Sequence, residues 1–191
     1  MASYIKTYNF IGIIACIIAL VFTTTYQIFG TPNHLLYIAE CQTFFVVEIL
    51  NIIFRRTNAK LFPTCAQLFS RLFIVWNICY KEGYHGRAVT TMFYCWYISD
   101  MVRYIFYLFR NTFFKYIRYN LFIIAYPAGV ALELYLLNSV YLKSSGVIKK
   151  LYTILIVGYV PGFVYLYYHM IKLRSKYLKF DKMKNIKKKL K

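Results

Sequence analysis

The sequence predicts an all-α integral membrane protein: a bundle of six transmembrane helices with both termini in the cytosol. Three observations lead there. Charged residues make up only 16% of the 191, against about 25% in soluble domains. Those charges cluster between long uncharged runs. The runs are also continuous, whereas a membrane β-barrel would alternate in ~10-residue segments. The apolar total says less: with Tyr left out and Gly counted it is roughly 53%, close to the soluble average of ~45–50%. An aromatic content of 21% excludes a disordered chain. The 5 Cys are odd in number and lack CxxC spacing, so a disulfide scaffold is not expected. No internal repeat is visible, and only the Lys-rich tail is biased in composition.

Residues 7–29 carry no charged side chain. They exceed the ~20 helical residues needed to cross a hydrocarbon core. No small-x-small site follows the apolar run, so this reads as an uncleaved first span and not a signal peptide. A second span covers about 35–54, contains Glu40 and Glu48, and stops at Arg55 and Arg56. The third covers 63–80, opening on Pro63, a favourable first-turn residue, and containing Arg71. The fourth covers 88–109, with Asp100 and Arg103 inside; the fifth covers 119–142, with Pro127 and Glu133. The sixth covers 151–171, with a kink expected at Pro161 and Gly162. Residues 1–171 thus form the membrane domain, and 172–191 a basic cytosolic tail.

Orientation follows from Lys and Arg. Outside the spans, seventeen basic residues fall on one side and five on the other, ten of the seventeen in the tail. The heavy side is expected to be cytosolic. The 5–6 loop, holding Lys143, Lys149 and Lys150, fits this least well. A net charge of +18 would suggest nucleic acid in a soluble protein. Here the basic residues border membrane spans, so attraction to anionic lipid is the better reading and no nucleic-acid partner is expected. The closing Lys188, Lys189, Leu190 and Lys191 resemble the dilysine retrieval signal of endoplasmic reticulum membrane proteins.

The charges inside the spans carry the functional signal. Each costs at least ~2.5–3.5 kcal/mol to insert and needs an inward-facing partner. Those well inside are Glu48, Arg71, Asp100, Arg103 and Glu133. Asp100 and Arg103 share a helix face at i,i+3, as do Glu48 and Asn51. Three acids against two Arg leaves one acid without a full partner, which suits proton transfer; the sequence does not say which. The alternative is that the pairs only join helices. Tyr126 and Glu133 are seven apart, within about 20° of one face and roughly 10.5 Å along the axis. A phenol and a carboxyl so spaced could flank part of a substrate. Pro127 frees a backbone carbonyl there, and Gly129 permits close approach. His34, His85 and His169 are too scattered to suggest a metal.

The order of motifs resembles the 3-hydroxyacyl-CoA dehydratase family, the protein tyrosine phosphatase-like membrane proteins of very-long-chain fatty acid elongation. The likeness covers nearly the whole chain. Tyr4 to Asn9 is similar to the family's YLxxYN. Glu48 to Asn51 follows, then Thr64 to Arg71 with Trp76, similar to TxxQVxSRxxxxW. Trp96 to Tyr107 is similar to WSxxExxRYxFY, and Arg118 to Glu133 to RYxxFxxxYPxGxxxE. Pro161, Tyr165, His169, Met170 and Arg174 complete it. Three positions depart: the family usually has His at Asn51, Ser at Tyr97 and Glu at Asp100.

The resemblance implies removal of water from a (3R)-3-hydroxyacyl-CoA to give a trans-2-enoyl-CoA, the third step of the elongation cycle. It implies no cofactor and no metal. Tyr126 and Glu133 become the catalytic pair, either able to be acid or base, with Glu133 favoured as base. Arg71, Asp100 and Arg103 would orient them. Arg55, Arg56, Lys60, Arg110, Lys115 and Arg118 are candidate contacts for CoA phosphates, and the acyl chain would lie between helices. Expected surroundings are the endoplasmic reticulum membrane, its lipid, and the elongase, ketoacyl-CoA reductase and enoyl-CoA reductase of the cycle. Glu133 lies about fifteen residues into its span, or ~22 Å at the helical rise, so a deep cavity open to the basic side is expected. Other readings are a non-catalytic scaffold that keeps the family fold and, behind it, a transporter. Phosphatase chemistry at Cys65 and Arg71, which match CxxxxxR, is rejected: a phosphate loop needs free backbone N–H groups in a turn, and these residues lie in an apolar helix. Chain-length preference and oligomeric state are not legible.

Overall fold

The computed structural model describes residues 2–83 and 85–189, and the side chains of 3–83 and 85–177. Among the described residues all regular structure is helical. The elements are α1 (Ala2–Phe29), α2 (Pro32–Phe44), α3 (Val47–Ile53), α4 (Leu61–Phe73) running into a π-helical stretch (Ile74–Lys81), α5 (Arg87–Phe109), α6 (Thr112–Lys143) and α7 (Gly146–Lys189). Five segments are long and apolar enough to cross a membrane: Ser3–Phe29, Pro32–Ile53, Leu61–Lys81, Thr112–Lys143 and Gly146–Tyr177. The α5 helix lacks that apolar character because it is the polar centre of the bundle. It packs on α1 and α6 and buries Trp96, Tyr97, Asp100 and Tyr104. Its neighbours supply the apolar exterior: Ile14, Ile17 and Val21 of α1 and Ile154, Val157 and Val160 of α7 are all exposed. Apolar surface so extensive suits lipid and not water.

The second expected span is present as Pro32–Ile53, with a break that divides it into α2 and α3. Thr43 donates its hydroxyl to the Ala39 carbonyl at 2.8 Å and accepts from the Trp76 indole N–H at 3.0 Å. Such back-bonding bends helices. The next two N–H groups then bond three residues back, Phe45 to Gln42 and Val46 to Thr43, and α3 starts on a new course. The third span also changes, from α to π, just past Arg71; π turns often mark functional sites. The fifth and sixth spans start before the expected residues, at Thr112 and Gly146. Asn111 caps α6 by accepting the Phe113 N–H at 3.1 Å, a favourable arrangement. Pro127 and Pro161 both sit inside unbroken helices. The α7 helix continues past residue 171 without interruption, and Lys188 to Lys191 lie beyond the described side chains.

Close packing of α1 on α5 depends on Gly12. A Cβ there would sit 3.0 Å from three atoms of the Tyr104 ring, and Tyr104 is fully buried. Gly12→Val is therefore expected to destabilise by about 1–3 kcal/mol through overpacking. Gly158 faces open space, so Gly158→Val should leave the apparent Tm in detergent near the parent value. Equal Tm losses in the two variants would contradict this packing.

Candidate active site

A cavity of about 1010 Å³ is lined by α1, α3, α4, α5, α6, α7 and the segment after α3. Its lining runs from Arg56, Lys60, Arg110 and Arg118 at the basic end to Glu133, Trp96 and Tyr159 in the interior. Beyond that floor the bundle is solid. Ile74, Ile78, Met92, Phe93, Leu136 and Leu137 are all fully buried.

The interior charges form one column. Glu48 meets Arg103 at 2.9 Å, Arg103 meets Asp100 at 3.4 Å, and Asp100 meets Arg71 at 2.5 Å. The shorter side chain at position 100 thus still reaches its partner. Tyr104 donates to Glu48 at 3.2 Å and lies beside the Tyr8 hydroxyl at 3.4 Å. Arg71 then lies over the Trp96 ring, 5.1 Å from its centre, a cation–π contact. Trp96 donates its indole N–H to Glu133 Oε1 at 2.8 Å. Tyr159 of α7 donates its hydroxyl to Glu133 Oε2 at 2.9 Å. The two Arg are taken by Glu48 and Asp100. Glu133, 5% exposed, is therefore the one of these three interior acids with no ion pair among the described residues, and its carboxylate accepts from the neutral donors Trp96 and Tyr159.

Local sequence explains this placement. Gly129 lies one turn before Glu133 on α6, and a Cβ there would be 3.5 Å from Trp96 Nε1. The indole lies against bare backbone, with its N–H able to reach the carboxylate. A Cβ alone would sit at ordinary contact distance from the ring, and atoms beyond it would compete with the indole for that space. Cys65 and Arg71 both lie within α4, and the guanidinium is engaged by Asp100, so no phosphate loop exists here.

Tyr126 lines the same cavity as Glu133. Its ring stacks with Phe122 at 4.8 Å, Phe163 at 5.4 Å and Tyr167 at 6.2 Å. Among the described residues its hydroxyl has no hydrogen-bond partner, which leaves the phenol available. Of the six candidate phosphate contacts, Arg56, Lys60, Arg110 and Arg118 line the cavity. Arg55 and Lys115 do not. Arg55 ends its helix at φ 53°, and Lys115 lies over the Tyr177 ring at 4.9 Å. Trp96 opens the motif similar to WSxxExxRYxFY, but its spacing alone does not separate it from other aromatic residues. Tyr159 is one of 21 Tyr, and nothing in its neighbourhood separates it from the rest.

The cavity has a side seam between α4 and α7. Those helices meet through Phe62 with Tyr165, centroids 6.4 Å apart, and Phe73 with Tyr152 at 6.1 Å. Between the two pairs the cavity lining includes Ala66 and Ser70 on α4 and Gly158 and Gly162 on α7. Neither glycine has an atom within 4 Å of a built Cβ.

Among the described residues no group of His, Cys, Asp and Glu could hold a metal ion. The family model for protein tyrosine phosphatase-like protein, PTPLA, matches residues 42–180. The chain is 31% identical over 192 residues to a probable very-long-chain (3R)-3-hydroxyacyl-CoA dehydratase of Schizosaccharomyces pombe, covering 91% of each. It is 33% identical to very-long-chain (3R)-3-hydroxyacyl-CoA dehydratase 1 of Mus musculus, over 72% of this chain and 57% of that one. It is 28% identical to the human dehydratase 2, over 92% of this chain and 81% of that one. No solved structure matches the chain. With its family model covering most of the sequence, a relative matched nearly end to end and a deep cavity around its buried acids, the chain belongs to the PTPLA family of protein tyrosine phosphatase-like proteins.

Proposed function

We propose that this protein removes water from a long-chain (3R)-3-hydroxyacyl-CoA, giving a trans-2-enoyl-CoA, as in very-long-chain fatty acid elongation. The observation that carries the reading is Glu133 itself: a buried carboxyl with neutral partners, in one cavity with Tyr126, inside a mouth of four basic residues. A CoA ester meets each zone in turn. Its phosphates lie among Arg56, Lys60, Arg110 and Arg118, and its C2 and C3 carbons lie between Glu133 and Tyr126. Glu133 takes the C2 proton. Two lone pairs of its carboxylate remain after Trp96 and Tyr159 are served. The C2–H electrons form the C2=C3 bond, the C3–O bond breaks, and the Tyr126 phenol supplies the proton with which the hydroxyl leaves as water. Arg71, Asp100 and Arg103 act through Trp96 as positioning residues. No cofactor enters the reaction.

The acyl chain leaves the solid floor sideways, through the seam between α4 and α7, where the glycines leave room and lipid lies outside. In this reading α5 crosses the membrane alongside the five apolar segments, so both termini and the cavity mouth face the cytosol, where acyl-CoA is found. Residues 1–171 act as the membrane domain and 172–191 as its basic cytosolic extension. The endoplasmic reticulum membrane is the site of action, alongside the elongase and the two reductases of the cycle.

The test is turnover of long-chain (3R)-3-hydroxyacyl-CoA by protein purified in detergent, followed by mass spectrometry. Tyr126→Phe and Glu133→Gln should each lower kcat by at least ~10²-fold, the usual contribution of a proton-transfer group. A folded wild-type sample inactive at every chain length would sink the dehydratase reading and favour a scaffold. Gly162→Leu should lower kcat/KM for a long-chain substrate by about tenfold relative to a four-carbon one. Equal losses for both lengths would place the acyl chain elsewhere.

A further inference from the structure

Among the described residues, two uncharged side chains on the cavity wall hold a buried polar atom with no hydrogen-bond partner. Asn51 on α3 is 1% exposed and its Nδ2 makes no hydrogen bond; the Thr57 hydroxyl, also buried, makes none. Both residues line the cavity. They adjoin each other, because the Thr57 backbone N–H donates to the Asn51 carbonyl at 3.3 Å. Such groups are rarely left unpaired: a buried polar atom without a partner costs about 1–3 kcal/mol. The two unpaired atoms are a donor, Asn51 Nδ2, and a hydroxyl oxygen, Thr57 Oγ1, that can donate or accept. The complement of that pattern is a secondary amide, with a carbonyl for Asn51 and an N–H for Thr57.

Their depth selects the amide. Asn51 lies one turn from Glu48 toward the end of α3, and Thr57 lies next to Arg56. They therefore fall between the basic mouth and the inner charge column. In a CoA thioester, phosphates and thioester are separated by the pantetheine arm, which carries two amides. We propose that Asn51 and Thr57 form a pantetheine subsite, in which Asn51 Nδ2–H donates to an amide carbonyl and Thr57 Oγ1 accepts from an amide N–H. The assignment rests on the CoA-ester reading of the cavity. It also gives a role to Asn51, and His would keep a side-chain N–H donor at that point.

The test is binding of free CoA and of adenosine 3′,5′-bisphosphate, which lacks the arm, to the full chain in lipid nanodiscs by calorimetry. Asn51→Leu and Thr57→Val should each weaken CoA by about tenfold, one lost hydrogen bond, and leave the bisphosphate unchanged. Asn51→His should recover most of the CoA affinity. With acyl-CoA substrate, the Asn51→Leu effect should fall on KM, as expected for uniform binding. The subsite is overturned if CoA binding is unchanged in both variants, if both probes weaken equally, or if wild type binds no CoA. Wild-type CoA binding with the expected pattern but without turnover would remove the dehydratase reading and keep the subsite. Turnover with unaltered KM in both variants would do the reverse.

Discussion

An ionised side chain in hydrocarbon must find a partner, and this constraint organises the bundle. Five acidic or basic side chains meet in the interior of the bundle, and four of them satisfy one another across three helices: Glu48 on α3, Arg103 and Asp100 on α5, Arg71 on α4. Removing one member would leave an uncompensated buried charge, which costs several kcal/mol. The column therefore fixes the mutual placement of α3, α4 and α5. It also explains why α5 looks too polar for a membrane. That helix is the centre of the bundle, and the others wrap it.

The column ends on Trp96, and its fixed geometry passes to Glu133 through one indole. Arg71 holds the ring face and Gly129 lets the ring lie against α6. The acid without an ion pair is thereby held at the floor of a cavity by two neutral donors. In the proposed reaction, depth sorts the ligand by chemistry: phosphate against guanidinium, amide against amide, reacting carbons between phenol and carboxyl, hydrocarbon toward lipid. Each zone is set by which side chains the helices can afford to bury at that level.

Much of this was legible in the sequence. Apolar runs, charge-free in α1 and interrupted only by Asp100 and Arg103 in α5, marked these helices to within a few residues. The break at Phe45 and the π turn after Arg71 were not legible, because they depend on tertiary contacts such as Trp76 on Thr43. The five interior charges could be picked out, since charge is rare at that depth. Their pairing could not: three acids and two Arg allow several matches, and only packing decides. Spacing placed Tyr126 and Glu133 on one face, and they line one cavity. Tyr159 is not legible in the sequence, because one Tyr among 21 is set apart only by its hydroxyl against Glu133. Of the basic residues at the mouth, Arg55 and Lys115 differ from their neighbours only in where the chain turns them, which composition cannot show.

The central claim is that the ion-pair column acts on the reaction through Trp96. Trp96→Phe tests it most directly, since it keeps an aromatic ring and removes the N–H given to Glu133. The account predicts that kcat for a long-chain (3R)-3-hydroxyacyl-CoA falls by about tenfold or more, as when a positioning hydrogen bond is lost, while the apparent Tm and KM stay close to wild type. Unchanged kcat in a folded Trp96→Phe protein would contradict it and reduce the column to structural glue.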